Sequence, residues 1–168
     1  AAEGGDPLAL LAMSYLAQKG IGVAADSAAA ETWRARFGEV VNGDLDSHVL
    51  FSVAMRLHFG VGVPKDLVIP RQILAKLAAR GFAPAMYELS TCMLTGCGGP
   101  RDTVEGSKLL GSAAAAGLVP AQVRVARQQA FVRRKDFSLA RKLLRQPWEA
   151  GSHAAAALLG SLYYDGRG

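Results

Sequence analysis

Small and bulky apolar residues recur along this chain at fixed distances from two kinds of punctuation, glycine pairs and single aspartates. The glycine pairs are Gly20/Gly22, Gly60/Gly62, Gly96/Gly98 and Gly166/Gly168. Asp26, Asp66, Asp102 and Asp136 follow one another by 40, 36 and 34 positions. Seven residues after each aspartate stands a bulky residue (Trp33, Ile73, Leu109, Leu143), with Ala78, Ala114 and Trp148 further along the same helical face. A glycine closes each stretch, fifteen residues after the aspartate at Gly81, Gly117 and Gly151, and seventeen after it at Gly43. Four residues beyond the closing glycine comes a small residue (Ala85, Ala121, Ala155 and, less well, Ser47), just as Ala9 follows Gly5. A second helical stretch runs from there to the next glycine pair. Two helices in each such period predict an all-α helical array.

Each feature has a physical reason. An aspartate at a helix start accepts backbone N–H groups that lack partners in the first turn and complements the helix dipole. Glycine at the far end supplies the left-handed conformation that closes a helix, and Pro64 and Pro100 discourage the preceding helix from running on. Ser14, Ala54, Ser90, Ala126 and Gly160, six residues before the loop glycine or its equivalent, predict close backbone approach between helices. The divisions expected are 6–43, 44–81, 82–117 and 118–151 as full repeats. Residues 1–5 then end a preceding second helix, and 152–168 form the first helix of a fifth repeat.

The last segment, from Ala155 through Leu159-Gly160 and Tyr163 to Gly166 and Gly168, resembles the A-x-x-x-L-G-x-x-Y-x-x-G-x-G first helix and loop of the Sel-one-like repeat family, relatives of the tetratricopeptide repeats. The family's second helix, D-x-x-x-A-x-x-W-x-x-x-A-A-x-x-G, is echoed by Asp26, Ala30 and Trp33, by Asp66, Ile73, Ala78 and Gly81, and by Asp102, Leu109, Ala113, Ala114 and Gly117. The resemblance covers essentially the whole chain and implies a right-handed α-solenoid of antiparallel helix pairs, a tetratricopeptide-like superhelix. Four departures bear on its curvature: four extra residues between repeats 1 and 2, Pro70 in place of a small residue, a glycine-free fourth loop at 132–136, and Pro147 late in its helix. Ala1-Ala2-Glu3-Gly4-Gly5 fits the close of a preceding helix, so the chain reads as a cut array. Its uncapped ends are expected to fray or to self-associate.

Composition narrows the function. With 51% hydrophobic and 20% charged residues the chain is an ordered globular protein, expected to be soluble, and no apolar run approaches the roughly 20 residues needed to span a bilayer. The net charge of +5 is concentrated: residues 120–150 carry eight cations against Asp136 and Glu149, which leaves the remainder slightly acidic. This basic patch, with Arg133, Arg134, Lys135, Arg141, Lys142 and Arg145 at its centre, would attract an acidic lipid, polysaccharide or nucleic acid. Nucleic acid is the least favoured of these, because no aromatic residues interleave the cations for base stacking. The Ala, Gly and Arg-rich composition suggests a GC-rich bacterial source, where relatives of this type are often exported to the periplasm or beyond; the compartment stays open.

The resemblance to tetratricopeptide-like arrays implies a concave groove lined by the first helix of each repeat. Counting back from the loop glycines places Leu11, Tyr15 and Lys19 there, then His48, Phe51, Met55 and His58, then Tyr87 and Thr91. Arg127 and Phe131 follow in repeat 4, and Ser161 and Tyr164 in the last helix. Aromatic and Met side chains would supply contact area, and Lys19, His58 and Arg127 charge or register, which points to a non-catalytic scaffold for a protein or peptide segment. No catalytic or cofactor motif is present. His48 and His58 lie about 280° apart around one helix, which excludes a metal pair between them. Cys92 reads as a small apolar filler and Cys97 as an exposed loop thiol, with no Cys/His spacing of a structural zinc site. One cysteine-rich branch of the family is associated with β-lactam binding, but it pairs cysteines in every repeat. Their absence here leaves a β-lactam-binding or hydrolysing enzyme a remote alternative.

Overall fold

The computed structural model describes residues 5–133 and 136–165, with only the backbone described at 132 and 133. Nine α-helices follow in order among them: α1 (Pro7–Lys19), α2 (Ser27–Asn42), α3 (Ser47–Phe59), α4 (Val68–Ala79), α5 (Ala83–Thr95), α6 (Thr103–Ala115), α7 (Val119–Arg127), α8 (Phe137–Glu149) and α9 (His153–Tyr164). The described residues contain no strand. Each odd helix packs on the even one that follows, and α4–α5, α6–α7 and α8–α9 join one pair to the next. The result is an α-solenoid of stacked helix pairs, as the period of the apolar pattern predicts.

The aspartates cap as expected. Asp26 accepts from the Ala29 N–H at 2.9 Å, Asp66 from Val68 and Ile69 at 2.7 and 2.9 Å, Asp102 from Val104 and Glu105 at 3.0 and 2.9 Å, and Asp136 from Leu139 at 2.9 Å. Asp6 and Asp46 do the same for first helices α1 and α3, a role the sequence pattern did not single out. The N–H groups of His48 and Val49 hold the Asp46 carboxyl below its usual range. Gly81, Gly117 and Gly151 take the left-handed conformation past α4, α6 and α8 (φ +82°, +85° and +82°). Gly43 does not: its φ is −70° in an extended backbone, so the first repeat closes differently from the others. The reason is length. Helix α2 runs 16 residues against 12 or 13 in α4, α6 and α8. Across this longer junction the backbones of α2 and α3 approach less closely than those of α4–α5, α6–α7 and α8–α9. The side chains of Lys76 in α4 and Arg80 just after it reach across this junction, Lys76 Nζ donating to the Val41 carbonyl at 2.8 Å and Arg80 Nη1 to that of Leu45 at 3.3 Å.

Between first and second helices the aspartate's own N–H returns to a carbonyl nine residues earlier: Asp26 to Ala17, Asp66 to Leu57 and Asp102 to Met93, each at 2.9 Å. The fourth loop lacks glycines, and there α7 passes into a π-helical turn, Gln128–Arg133, with Asp136 N–H returning only as far as Gln129 at 3.1 Å. Winding the backbone wider takes up the residues that a glycine turn would have used.

The most deeply buried position of the second helices lies one residue beyond the bulky position expected in the core. Leu74, Leu110 and Leu144, eight residues after the capping aspartates, are fully buried. Of the expected positions at seven, only Ile73 is buried, while Trp33, Leu109 and Leu143 are half-buried. In repeat 1 the eighth position is the exposed Arg34, and Phe37 fills the space. Four residues after each aspartate a small or compact side chain is buried: Ala30, Pro70, Gly106 and Ala140. Gly106 shows why. A Cβ there would press on the Ser90 carbonyl at 3.1 Å and on Leu94 at 3.0 Å, so α5 and α6 meet backbone to backbone. Pro70 lies in the first turn of α4 and Pro147 in the last turn of α8, and both are fully buried without ending their helices. Two expectations are corrected: Trp148 is 54% exposed rather than core, and a Cβ added at Gly160 would meet nothing within 4 Å, so among the described residues no close backbone approach calls for a glycine there.

Candidate binding groove

First helices α5, α7 and α9 contribute to one groove of about 530 Å³. Its lining includes Tyr87 from α5, Val123, Arg124 and Arg127 from α7, and Ser152 and Ala154 at the start of α9. Arg124 organises the α5 side. Its guanidinium carbon lies 5.7 Å from the Tyr87 ring centroid, and Nη1 donates to Thr91 Oγ1 at 2.6 Å. The Thr91 hydroxyl in turn donates to the Tyr87 carbonyl at 3.2 Å. Packing against an aromatic face and a fixed hydroxyl removes rotamer freedom from a long cation before any partner arrives. Glu88, on the adjoining face of α5, is half-buried; burial pushes its carboxyl above the usual range, against the opposing pull of His58 and Arg124. Tyr87, Thr91 and Arg127 were expected on this surface. Arg124 and Glu88 were not, because their partners lie on other helices.

The other expected groove residues are spread more unevenly. Leu11 is buried in the core and shows only an edge to a small cleft beside Tyr15, while Lys19 is exposed. His48 and Phe51 pack edge-on to Phe82, with ring centroids 4.9 and 5.6 Å away, and Met55 is half-buried against the same core. Phe131, Ser161 and Tyr164 are exposed, Tyr164 almost fully at 92%. In the basic patch, Arg141, Lys142 and Arg145 line a separate groove of about 720 Å³ with Trp148, Leu159 and Tyr163. Arg145 Nε donates to Glu149 Oε1 at 3.0 Å, which reduces the charge offered there. Arg134 and Lys135 lie outside the described residues, as does the Arg133 side chain.

Comparison with known proteins decides the family. The family model of the Sel1 repeat matches residues 7–33, 47–81, 83–118, 119–146 and 153–168. The chain belongs to the Sel1 repeat family. No curated protein matches it. Among solved structures, a protective antigen present in uropathogenic Escherichia coli strains and displaying an SLR fold is 23% identical, with a TM-score of 0.64 over 96% of this chain and 34% of that one. A Sel1 repeat protein from Oxalobacter formigenes is 21% identical, with a TM-score of 0.65 over 96% of this chain and 64% of that one. The chain thus spans about a third and just under two thirds of the lengths of these two, and at such identities the likeness is one of fold. Sel1 repeats generally serve as protein-interaction scaffolds, bind protein partners and are typically non-catalytic. No helix among the described residues is long and apolar enough to cross a membrane.

Within this Sel1 array the fold also assembles a constellation that no sequence spacing revealed. His58 near the end of α3, Cys92 on α5 and Cys97 in the following loop present ligand atoms that all lie within 4.8 Å of one another. Cys97 is half-buried, not exposed as its loop position suggested. Burial pushes the Cys92 thiol up to about 11, and Cys97 beside it adds to the rise.

Proposed function

We propose that the chain is a non-catalytic interaction module that holds a protein or peptide segment against its first-helix face, centred on the α5–α7–α9 groove. The observation that carries this reading is the Arg124–Tyr87–Thr91 unit, a preorganised cation and aromatic face beside the apolar Val119, Pro120 and Val123. Anchors of this kind contribute most of the energy at protein interfaces, because they enter the complex with little entropy left to lose. Lining by Arg124 and Arg127 favours a segment carrying carboxylates. Tyr15, Lys19, Phe51, Met55, His58, Phe131, Ser161 and Tyr164 would extend the contact along the array, with Leu11 supporting it from below.

The test is capture of partners from the source organism with the wild-type chain and with a Tyr87→Ala/Arg127→Glu variant, followed by titration of a captured partner. The variant is expected to bind about thirtyfold more weakly, equivalent to roughly 2 kcal/mol, while keeping its helical circular dichroism. Unchanged affinity in a folded variant rejects the groove. A second reading, attachment of an acidic partner at the α8–α9 groove, rests on Arg141, Lys142 and Arg145 around Trp148 and Tyr163. Binding through that surface would fall steeply with salt and survive the Tyr87/Arg127 variant.

A further inference from the structure

The groove reading uses His58 only as one contact among many and leaves Cys92 and Cys97, which the fold gathers beside it, without a role. Three independent features converge on it. First, the imidazole Nδ1 of His58 is buried and has no hydrogen-bond partner. A buried ring nitrogen left unpaired is costly, and such atoms call for a specific explanation. Second, a ring nitrogen of His58 and both sulfurs already lie within 4.8 Å of one another. A tetrahedral zinc with bonds of about 2.3 Å to sulfur and 2.0 Å to nitrogen needs its ligand atoms about 3.5–3.8 Å apart. Small side-chain rotations would close that difference.

Third, the loop that carries Cys97 is held in place. Arg71 of α4 donates Nη1 to the Cys97 carbonyl at 3.1 Å and Nη2 to that of Pro100 at 2.8 Å. Gly98 (φ +70°) lies so close to α4 that a Cβ would collide with the Leu67 carbonyl. The equivalent glycines of the first two loops, Gly22 and Gly62, face open space. Ile21 and Val61, which occupy the position of Cys97 in those loops, are 52% and 53% exposed. Of these three loops it is the third that draws this residue inward, where its thiol meets that of Cys92.

We propose that His58, Cys92 and Cys97 form a binding site for a zinc-class thiophilic cation that clamps repeat 2 to repeat 3. Two thiolates and a neutral imidazole are the donor set such a cation prefers, and their charge of −2 balances a divalent ion. Binding releases the two thiol protons to solvent, and the cation supplies the charge that offsets desolvation of the thiolates. Three protein ligands leave a fourth position for water. The clamp ties α3 directly to α5 and its loop, and so fixes the angle between successive repeats.

The experiment is titration of the reduced wild-type chain with Co²⁺ under anaerobic conditions, followed by displacement with Zn²⁺. One equivalent of cobalt is expected to bind with a thiolate-to-metal charge-transfer band, and zinc to raise the melting temperature. Cys97→Ser should lose most of that band. His58→Gln should keep it but bind at least about tenfold more weakly, a loss already seen when only an outer-shell partner of a ligand is disturbed. Both substitutions are at half-buried positions, and circular dichroism without metal checks that they fold. The proposal is overturned by the absence of a charge-transfer band in the reduced wild type, or by cobalt binding that neither folded variant alters. A Cys92–Cys97 disulfide that forms as readily with zinc present as without it overturns it too.

Discussion

At Glu88 burial and charge act in opposite directions, and burial wins. Half-buried on α5, its carboxyl is raised above the usual range even though His58 of α3 and Arg124 of α7 both favour the ionised form. The folded chain therefore holds this proton more tightly than the unfolded chain does. The stability that Glu88 contributes is fully present below its ordinary value near 4.5 and is lost as pH rises through the higher folded value. Glu88→Gln is expected to be more stable than wild type at pH 7, with the advantage disappearing by pH 4. Urea unfolding of both proteins at the two pH values checks this. A Gln variant less stable at pH 7 would mean that attraction to Arg124 and His58 outweighs desolvation. Arg124 shows the complementary limit of reading residues singly. Its charge is plain in the sequence, but its stacking on Tyr87 and its bond to Thr91 join residues 33 or more positions apart.

Helix ends follow from neighbours within a few positions, which is why the caps were legible and the loops only partly so. An aspartate carboxylate reaches N–H groups two or three residues on, and a left-handed glycine answers to carbonyls of its own last turn, so both signals are local. Gly43 shares the composition of the other closing glycines but not their conformation, because the longer α2 enters a different junction. The loop glycines separate local from tertiary demands. Gly22 and Gly98 have φ of +77° and +70°, and alanine at either position incurs the left-handed penalty of about 1–2 kcal/mol. At Gly98 the added methyl also meets α4, so Gly98→Ala is expected to lose a further ~1–3 kcal/mol. Denaturation midpoints of the two alanine variants measure the difference, and equal losses would show that the third loop is not seated on α4.

Stability across the whole molecule is passed between neighbours. One apolar cluster runs from Leu10 in α1 to Cys92 in α5, a second joins Val123, Leu144 and Leu162 across α7, α8 and α9, and a small group around Leu110 and Ala121 lies between them. Leu144→Ala opens a cavity in the second cluster and is expected to cost about 2–5 kcal/mol there. Hydrogen exchange should show lost protection in α7–α9 with α1–α4 unchanged; uniform loss would indicate a single cooperative unit instead of a nearest-neighbour array. The helical period and the aspartates that cap the second helices were determined by the sequence alone. Each depends on separations of one to four residues within a helix or on a repeat that identical local rules reproduce. The one-residue offset between the expected core position and the most buried one has the same origin, since a periodic apolar stripe sets the buried face but leaves its deepest position to the crossing helix. Only the tertiary structure decided that His58 meets Cys92 and Cys97, that Arg124 reaches Tyr87, and that Lys76 and Arg80 reach across the junction of α2 and α3. Those contacts join side chains on different helices, whose approach is set by packing geometry that no spacing along the chain encodes.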